Sequence, residues 1–275
     1  MKKWETYKQA IEENLTIVDK DKKEVPFILN RPQADFLENS TERNVILKAR
    51  KMGFSSLLLA IGLLKFILGK NERCVSMSFD KDASAKQLER AKHFLRSYDR
   101  INGTDVMKKL KYNSRSELAM EVTEEGGGTY LNTLRIGTAK STSFGRGDDI
   151  SFLHLTEVSS MDSIDILLAG VGEAVVRNAM ITMETTANGF NSFKTFWDEA
   201  ALGERGYKTF FYDPTWEYPK EYLDKRRAEL GRLYEQEYPS SAESAFLTSG
   251  DQYFDRDSLK WYLEQVKDVQ TLQTV

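Results

Sequence analysis

Short apolar runs alternate with longer helical patterns through the middle of this chain, and that alternation constrains the fold more than any other feature. Asn44–Ala49 (NVILKA), Arg73–Phe79 (RCVSMSF), Ile150–Leu155 (ISFLHL), Ala179–Thr185 (AMITMET) and Tyr207–Tyr212 read as strands. Ser55–Leu68, Asp82–Tyr98, Ile164–Arg177 and Phe193–Leu202 carry helical periodicity between them. Ser116–Val122 and Thr129–Ile136, on either side of Glu124–Gly128, predict a hairpin. Strands separated by helices require a mostly parallel sheet with both faces covered. In such sheets ligands bind at the loops that follow the carboxyl ends of the strands. Before this core lies one helical pattern, around Trp4–Leu15. After Pro214 the texture changes: Lys220–Glu237 reads as one strongly charged helix, with shorter helical patterns at Glu243–Leu247 and Leu259–Val266. No internal repeat and no Gly/Ser linker divides the chain.

A length of 275 residues suits one large α/β domain or a domain with a small appendage. With 39 basic and 42 acidic residues the net charge is −3, which excludes a bulk-basic nucleic-acid binder. Any grip on DNA needs a local patch, for which Lys108-Lys109-Lys111, Lys225-Arg226-Arg227 and Lys86–Arg96 are candidates; each also reads as a solvated face. The single cysteine, Cys74, excludes an intramolecular disulfide, and no Cys/His spacing suits zinc. The N-terminal MKKWETYKQAIEENL lacks the apolar stretch of a signal peptide, and the longest apolar run, Leu57–Leu64, is too short to span a bilayer. These features predict a soluble, intracellular protein with no membrane partner.

The loop after the first core strand is Lys48-Ala49-Arg50-Lys51-Met52-Gly53-Phe54-Ser55-Ser56. It fits the phosphate-loop template G-x-x-x-x-G-K-[ST] at Gly53 and Ser55. Lys48 stands at the first glycine and Phe54 at the lysine. The context fits, because a helix N-terminus offers free N–H groups and a positive dipole end to phosphate. Ser55 is a ligand candidate for Mg2+, while Lys48, Arg50 and Lys51 supply cationic charge. After Ile150–Leu155 comes Thr156-Glu157, where phosphate-loop ATPases keep an acid for the Mg2+ shell and one to orient the attacking water. Thr156 can hold a Mg2+-bound water but carries no charge; Glu157 is a candidate base, or a helix cap. Arg146, in Phe144-Gly145-Arg146-Gly147, suits an arginine finger or a surface turn. Thr185-Thr186-Ala187-Asn188-Gly189 ends a further strand with polar groups able to sense a γ-phosphate. Gln33, in NRPQ, can donate to and accept from an adenine edge. His93 and His154 read as structural.

Taken in order, these segments resemble the ATPase domain of tailed-phage large terminases, the DNA-packaging motors. NRPQADFL is similar to the adenine-binding glutamine motif, and KARKMGFSS to the deviant terminase phosphate loop. SFGRGDDISFLHLTE is similar to the Arg-Gly segment leading into the acidic strand, METTANG to the coupling motif, and EYPSSAESAFLTSGDQYFD to the stretch closing the ATPase half. Together they run from about Gln33 to Asp255.

The resemblance implies an ASCE-type P-loop NTPase fold, with an ATPase core over residues 1–212 and a lid and linker over 213–275. It implies ATP and Mg2+ as cofactors. Gln33 would contact adenine, and Lys48, Arg50, Lys51, Met52, Gly53, Phe54, Ser55 and Ser56 would form the phosphate site. Glu157 would be the catalytic carboxylate, Arg50 the arginine acting in cis, and Arg146 the finger on a neighbouring subunit's ATP. Ser55, Thr156 and Glu157 would serve Mg2+. Thr185, Thr186 and Asn188 would couple hydrolysis to motion. The implied partners are double-stranded DNA, the portal protein and the small terminase subunit. The assembly would be a homo-oligomeric ring on the procapsid, the isolated protein would be a monomer, and it would be located in the cytoplasm of an infected bacterium and absent from the mature virion. Two departures stand out: Phe54 replaces the usual lysine and Thr156 the usual aspartate. No carboxylate cluster suited to a nuclease follows Phe254, so nuclease activity is not expected from this chain, which reads as an excised half or as one whose nuclease is encoded elsewhere, excision being favoured. A helicase-like nucleic-acid ATPase and a degenerate nucleotide-binding scaffold are the competing readings.

Overall fold

The structure is a computed structural model that describes residues 3–123, 126–139 and 149–248, together with 258, 261, 262, 265 and 266. In chain order the elements are α1 (Lys3–Asn14), β1 (Thr16–Val18), β2 (Glu24–Pro26), α2 (Arg31–Asn39), β3 (Arg43–Lys48), α3 (Phe54–Leu68), β4 (Arg73–Ser78) and α4 (Lys81–Asn102). They continue with β5 (Leu110–Asn113), β6 (Glu117–Thr123), β7 (Thr129–Thr138), β8 (Ile150–Thr156), α5 (Ile164–Gly172), β9 (Val175–Thr185), α6 (Ser192–Ala201), β10 (Lys208–Tyr212), α7 (Lys220–Leu230), α8 (Tyr234–Glu237) and α9 (Ala242–Thr248).

One sheet of eight strands has the order β10-β3-β9-β8-β4-β7-β6-β5. From β10 to β7 all neighbours are parallel; β6 runs antiparallel to β7, and β5 to β6. The mostly parallel sheet and the hairpin are as the patterning predicts. Because side chains alternate along a strand, each strand contributes to two separate cores. Ile46, Cys74, Phe152 and Ile136 join α1, α2, α3 and α4 on one face. Val45, Leu47, Val75, Leu153, Leu155 and Met183 join α5, α6 and α9 on the other. Each fully buried Leu, Ile or Phe contributes about 1.5–3 kcal/mol, so these two layers dominate the stability. Helix α3 is buried on nearly all sides, and its Gly62 lets the sheet approach closely: a Cβ there would lie 2.9 Å from the Phe152 ring.

Two boundaries differ from the sequence reading. The helix expected over Ile164–Arg177 ends at Gly172, and Val175 is already paired with Ile150 as a strand residue. Gly170 and Gly172 weaken the helix, and the Val175-Val176 pair favours extended backbone. The single helix expected over Lys220–Glu237 breaks at Gly231, where φ is 52°. Helix α2, the β1–β2 pair and strand β5 add elements that the patterning did not reveal. Tyr218, Leu223, Tyr234 and Tyr238 form a small cluster of their own after β10, while Ala245 and Phe246 of α9 return to the main core. The helix pattern at Leu259–Val266 lies mostly outside the described residues. Among the described residues no helix is long and apolar enough to cross a membrane.

Candidate active site

Strand β9 lies between β3, which carries the phosphate loop, and β8, which ends in Thr156. This order brings the carboxyl ends of three neighbouring strands together beside the N-terminus of α3. Register then selects the side chains: Glu184 of β9 stands opposite Ile46 on one side and Thr156 on the other. Lys48, Glu184, Thr156, His154 and Ser76 share the sheet face covered by α3 and α4, so a polar strip crosses an otherwise apolar layer.

Glu184 is the centre of that strip and is only 1% exposed. The Ser55 hydroxyl donates to its Oε1 at 2.5 Å, and the Thr156 hydroxyl donates to the same oxygen. Lys48 Nζ lies 3.1 Å from Oε2. Burial alone would raise this carboxyl; the Lys48 ammonium, with His154 and the Ser55 hydroxyl adding to it, instead holds it well below the usual carboxylate range. The polar strip continues through fully buried His154, whose Nε2 is 3.7 Å from Glu184 Oε1 and whose Nδ1 is 2.9 Å from Ser76 Oγ. Ser76 donates to Gln87 of α4 at 2.6 Å. Burial also pulls down Arg90, one turn further along α4, and the Glu184 charge opposes that pull. Sequence reasoning missed Glu184. The signal was there, an acid at the carboxyl end of an apolar strand, the same signal that singled out Glu157.

The phosphate loop is held from three sides. Lys51 and Gly53 adopt left-handed backbone, with φ of 61° and 75°. Gln33 donates from Nε2 to the Gly53 carbonyl at 2.9 Å, accepts from the Asn30 N–H at 3.0 Å, and closes a capping box at the start of α2. Asn30 Nδ2 donates to the Met52 carbonyl at 3.2 Å. Gln33, 3% exposed, thus ties α2 to the loop with both ends of its amide. Tyr218 Oη donates to the carbonyls of Arg50 and Lys51, each at 3.1 Å. Burial pushes its phenol up, with Tyr238 and Glu217 adding to the shift, so it remains a donor. Arg50 pairs through Nε with Glu237 at 2.5 Å, and its N–H donates to the Glu237 carbonyl. Between this loop and the helices α7 and α8 opens a cavity of about 380 Å³, lined among others by Arg50, Lys51, Tyr222, Arg226 and Tyr238.

The remaining sequence candidates fall into place around this centre. Phe54 is fully buried, stacked on Tyr212 at 5.1 Å between ring centres and edge-on to Phe36. It faces the core, so a lysine in the same rotamer would bury an ammonium among aromatic rings. Met52 is buried and Ser56 is half-buried. Glu157 is exposed, its backbone left-handed at φ 58° and its N–H donating to the Glu184 carbonyl at 2.8 Å. A non-glycine residue in that region stores of order 1 kcal/mol of strain, of the kind that collects at functional sites. Thr185 faces the opposite side of the sheet from Glu184; its hydroxyl lies 2.7 Å from that of Ser159 and donates to the Thr186 carbonyl. Asn188 is exposed, and its carbonyl accepts from Asn191. Arg146 lies outside the described residues. In the basic stretches, Lys108, Lys111, Lys225, Arg226 and Arg227 each have an acidic neighbour, Asp105, Glu121, Glu229 or Glu235.

A hard divalent cation such as Mg2+ takes oxygen ligands and keeps several waters. Ser55 Oγ and Thr156 Oγ1 lie 3.5 Å apart with the Glu184 carboxylate between them, an all-oxygen donor set that fits Mg2+. Among the described residues no group of three or more His, Cys, Asp or Glu side chains is arranged to hold a metal by itself. A Mg2+ ion here therefore calls for oxygens from a bound phosphate as well.

No protein-family model matches the chain, and no curated protein does either. Solved structures match by fold. The ATPase domain of the Thermus phage P74-26 large terminase aligns with a TM-score of 0.56 at 16% identity, over 75% of this chain and 91% of that one. The HK97 bacteriophage large terminase aligns with a TM-score of 0.58 at 17% identity, over 90% of this chain and 51% of that one. The large terminase of a thermophilic bacteriophage aligns with a TM-score of 0.50 at 11% identity, over 75% and 52%. The chain spans about half the length of these last two proteins and nearly all of the isolated ATPase domain. Its architecture, a mostly parallel sheet with helices on both faces and a loop joining β3 to α3, is the P-loop NTPase fold of large terminase ATPase domains.

Proposed function

We propose that this chain hydrolyses ATP to drive double-stranded viral DNA into a procapsid, as the ATPase part of a large terminase. One observation carries the reading: Lys48, Ser55 and Thr156 converge on Glu184 where the carboxyl ends of β3, β9 and β8 meet the start of α3, with Glu157 next in the chain after Thr156. The N–H groups opening α3 cradle the phosphates, and Lys48, Arg50 and Lys51 neutralise them. Ser55 and Thr156 serve Mg2+, Thr156 through a water; the ion would draw charge off the β- and γ-phosphates. Glu157, exposed at the strand end, orients the attacking water and takes its proton. Arg146 reaches the nucleotide of a neighbouring subunit. The cavity beside Arg50 and Tyr222 takes the base and ribose under a lid formed by α7 and α8. Gln33 acts through its hold on Gly53. Thr185, Thr186 and Asn188 pass the state of the site on towards α6. DNA, a portal and a small terminase subunit are the proposed partners. The site of action is the infected host's cytoplasm.

The test is phosphate release from ATP with Mg2+ present. Glu157→Gln is expected to lower the rate by about 10²–10⁴-fold while nucleotide affinity holds. Unchanged turnover would remove Glu157 from the mechanism. A second reading, a nucleotide-binding or inert scaffold, is favoured by one observation: Lys48, Ser55 and Thr156 all turn onto Glu184, so the polar centre is satisfied without a ligand. No release by wild type at any protein concentration, together with no nucleotide binding, selects that reading.

A further inference from the structure

Position 156 carries a hydroxyl where the Mg2+ shell of a phosphate-loop ATPase needs a negative charge. We propose that Glu184, on the neighbouring strand, supplies that charge in this chain. The proposal rests on the ATPase reading above and deepens it. Both hydroxyls that would flank the ion, those of Ser55 and Thr156, already donate to one Glu184 oxygen. The register of β8 against β9 places Glu184 directly opposite Thr156, so moving the acid one strand over leaves it facing the same space. The change at 156 is also what a relocated acid requires. A threonine there donates to the carboxylate, whereas an aspartate would set two carboxylates against each other.

The second oxygen of Glu184 explains what changes on binding. In this state its counter-ion is Lys48, 3.1 Å away. Lys48 is also the cation nearest the start of the phosphate loop. When a phosphate draws Lys48 away, a buried carboxylate is left uncompensated, a state that proteins avoid at high cost. A divalent cation arriving with the nucleotide replaces the lost charge. Glu184 would therefore couple nucleotide to Mg2+: Lys48 would exchange it for phosphate, and its carboxylate would then be free to hold the ion. An independent feature points to the same spot. His154 Nε2 is fully buried, has no hydrogen-bond partner, and is aimed at Glu184 Oε1 from 3.7 Å.

The experiment measures the affinity of a fluorescent ATP analogue with and without Mg2+, and counts bound Mn2+ by electron paramagnetic resonance. Wild type is expected to bind the nucleotide more tightly with Mg2+. Glu184→Gln is expected to lose that gain, by about 10–100-fold, while its affinity without the ion stays level or rises. Adding Thr156→Asp to that variant is expected to restore both the Mg2+ gain and the bound Mn2+. If Glu184→Gln does not fold, Glu184→Asp keeps a charge for Lys48 but withdraws the carboxylate by one methylene, and a smaller Mg2+ gain is expected. A folded Glu184 variant with an undiminished Mg2+ gain overturns this assignment and leaves the ATPase reading standing. A wild type that binds no nucleotide under either condition overturns both.

Discussion

Glu184 pairs with Lys48 inside the sheet, and that pairing has a consequence for stability that needs no ligand. Its carboxyl is held below the ordinary value of 4.5 in the folded chain, so the unfolded chain binds more protons as the pH falls. The stabilisation is complete above about 4.5 and is lost as the pH drops through the lower folded value. Glu24, exposed and held at about 2 by hydrogen bonds from Arg100 and Thr16, shares the direction but is screened by solvent. Denaturant midpoints measured between about pH 6 and about pH 3 should fall steeply for wild type and more gently for Glu184→Gln. Parallel slopes would show that Glu184 is not the group responsible. This residue was also the one that sequence reasoning passed over. AMITMET reads as an apolar strand leading into a polar turn, which drew attention to Thr185 and Thr186. Which member of a strand end faces the site depends on register with β3 and β8, and a single strand does not encode that. The positions of Glu157 and Ser55 were legible, because one follows the end of a strand and the other opens a helix. The roles of Phe54 and Gln33 were not, since both are set by contacts with distant elements: Tyr212 and Phe36 for one, Gly53 for the other.

Among the elements, the phosphate loop depends on packing from outside itself. Gly53 is the position where that dependence is tightest. Its φ of 75° disfavours any side chain, and a Cβ there would sit 2.7 Å from Gln33 Nε2. Gly53→Ala is expected to cost about 1–2 kcal/mol from the backbone alone. It should also break the Gln33 bond to the loop and weaken nucleotide binding, read by thermal melting and by titration with a fluorescent nucleotide. Wild-type stability and affinity in that variant would mean the loop is not held as described. The strands and helices of the central sheet were legible because their apolar periods are long and regular. The boundaries at Gly172 and Gly231 were not. Apolar and charged periodicity both run on through these glycines, and backbone preference ends the helix before the pattern does. The short strands β1, β2 and β5 carry too few residues for any period to register.

At the scale of the whole molecule, a chain of net charge −3 must concentrate its basic groups to hold a DNA backbone. Several cations in its basic stretches have acidic neighbours: Lys108, Lys111, Lys225 and Arg226. In the proposed motor, a ring would bring patches from several copies around one pore, and Arg146 of one copy would act on the ATP of the next. An arginine supplied in trans accelerates phosphoryl transfer by about 10³–10⁵-fold, so the proposed motor would link assembly to turnover. The most direct test of the account is the rate of Mg2+-dependent ATP hydrolysis per subunit across a series of protein concentrations. The account predicts a rate that rises with concentration, levels off as subunits assemble, and collapses in Glu157→Gln throughout. A wild-type rate that is zero, or that is the same per subunit from the most dilute to the most concentrated sample, would contradict it.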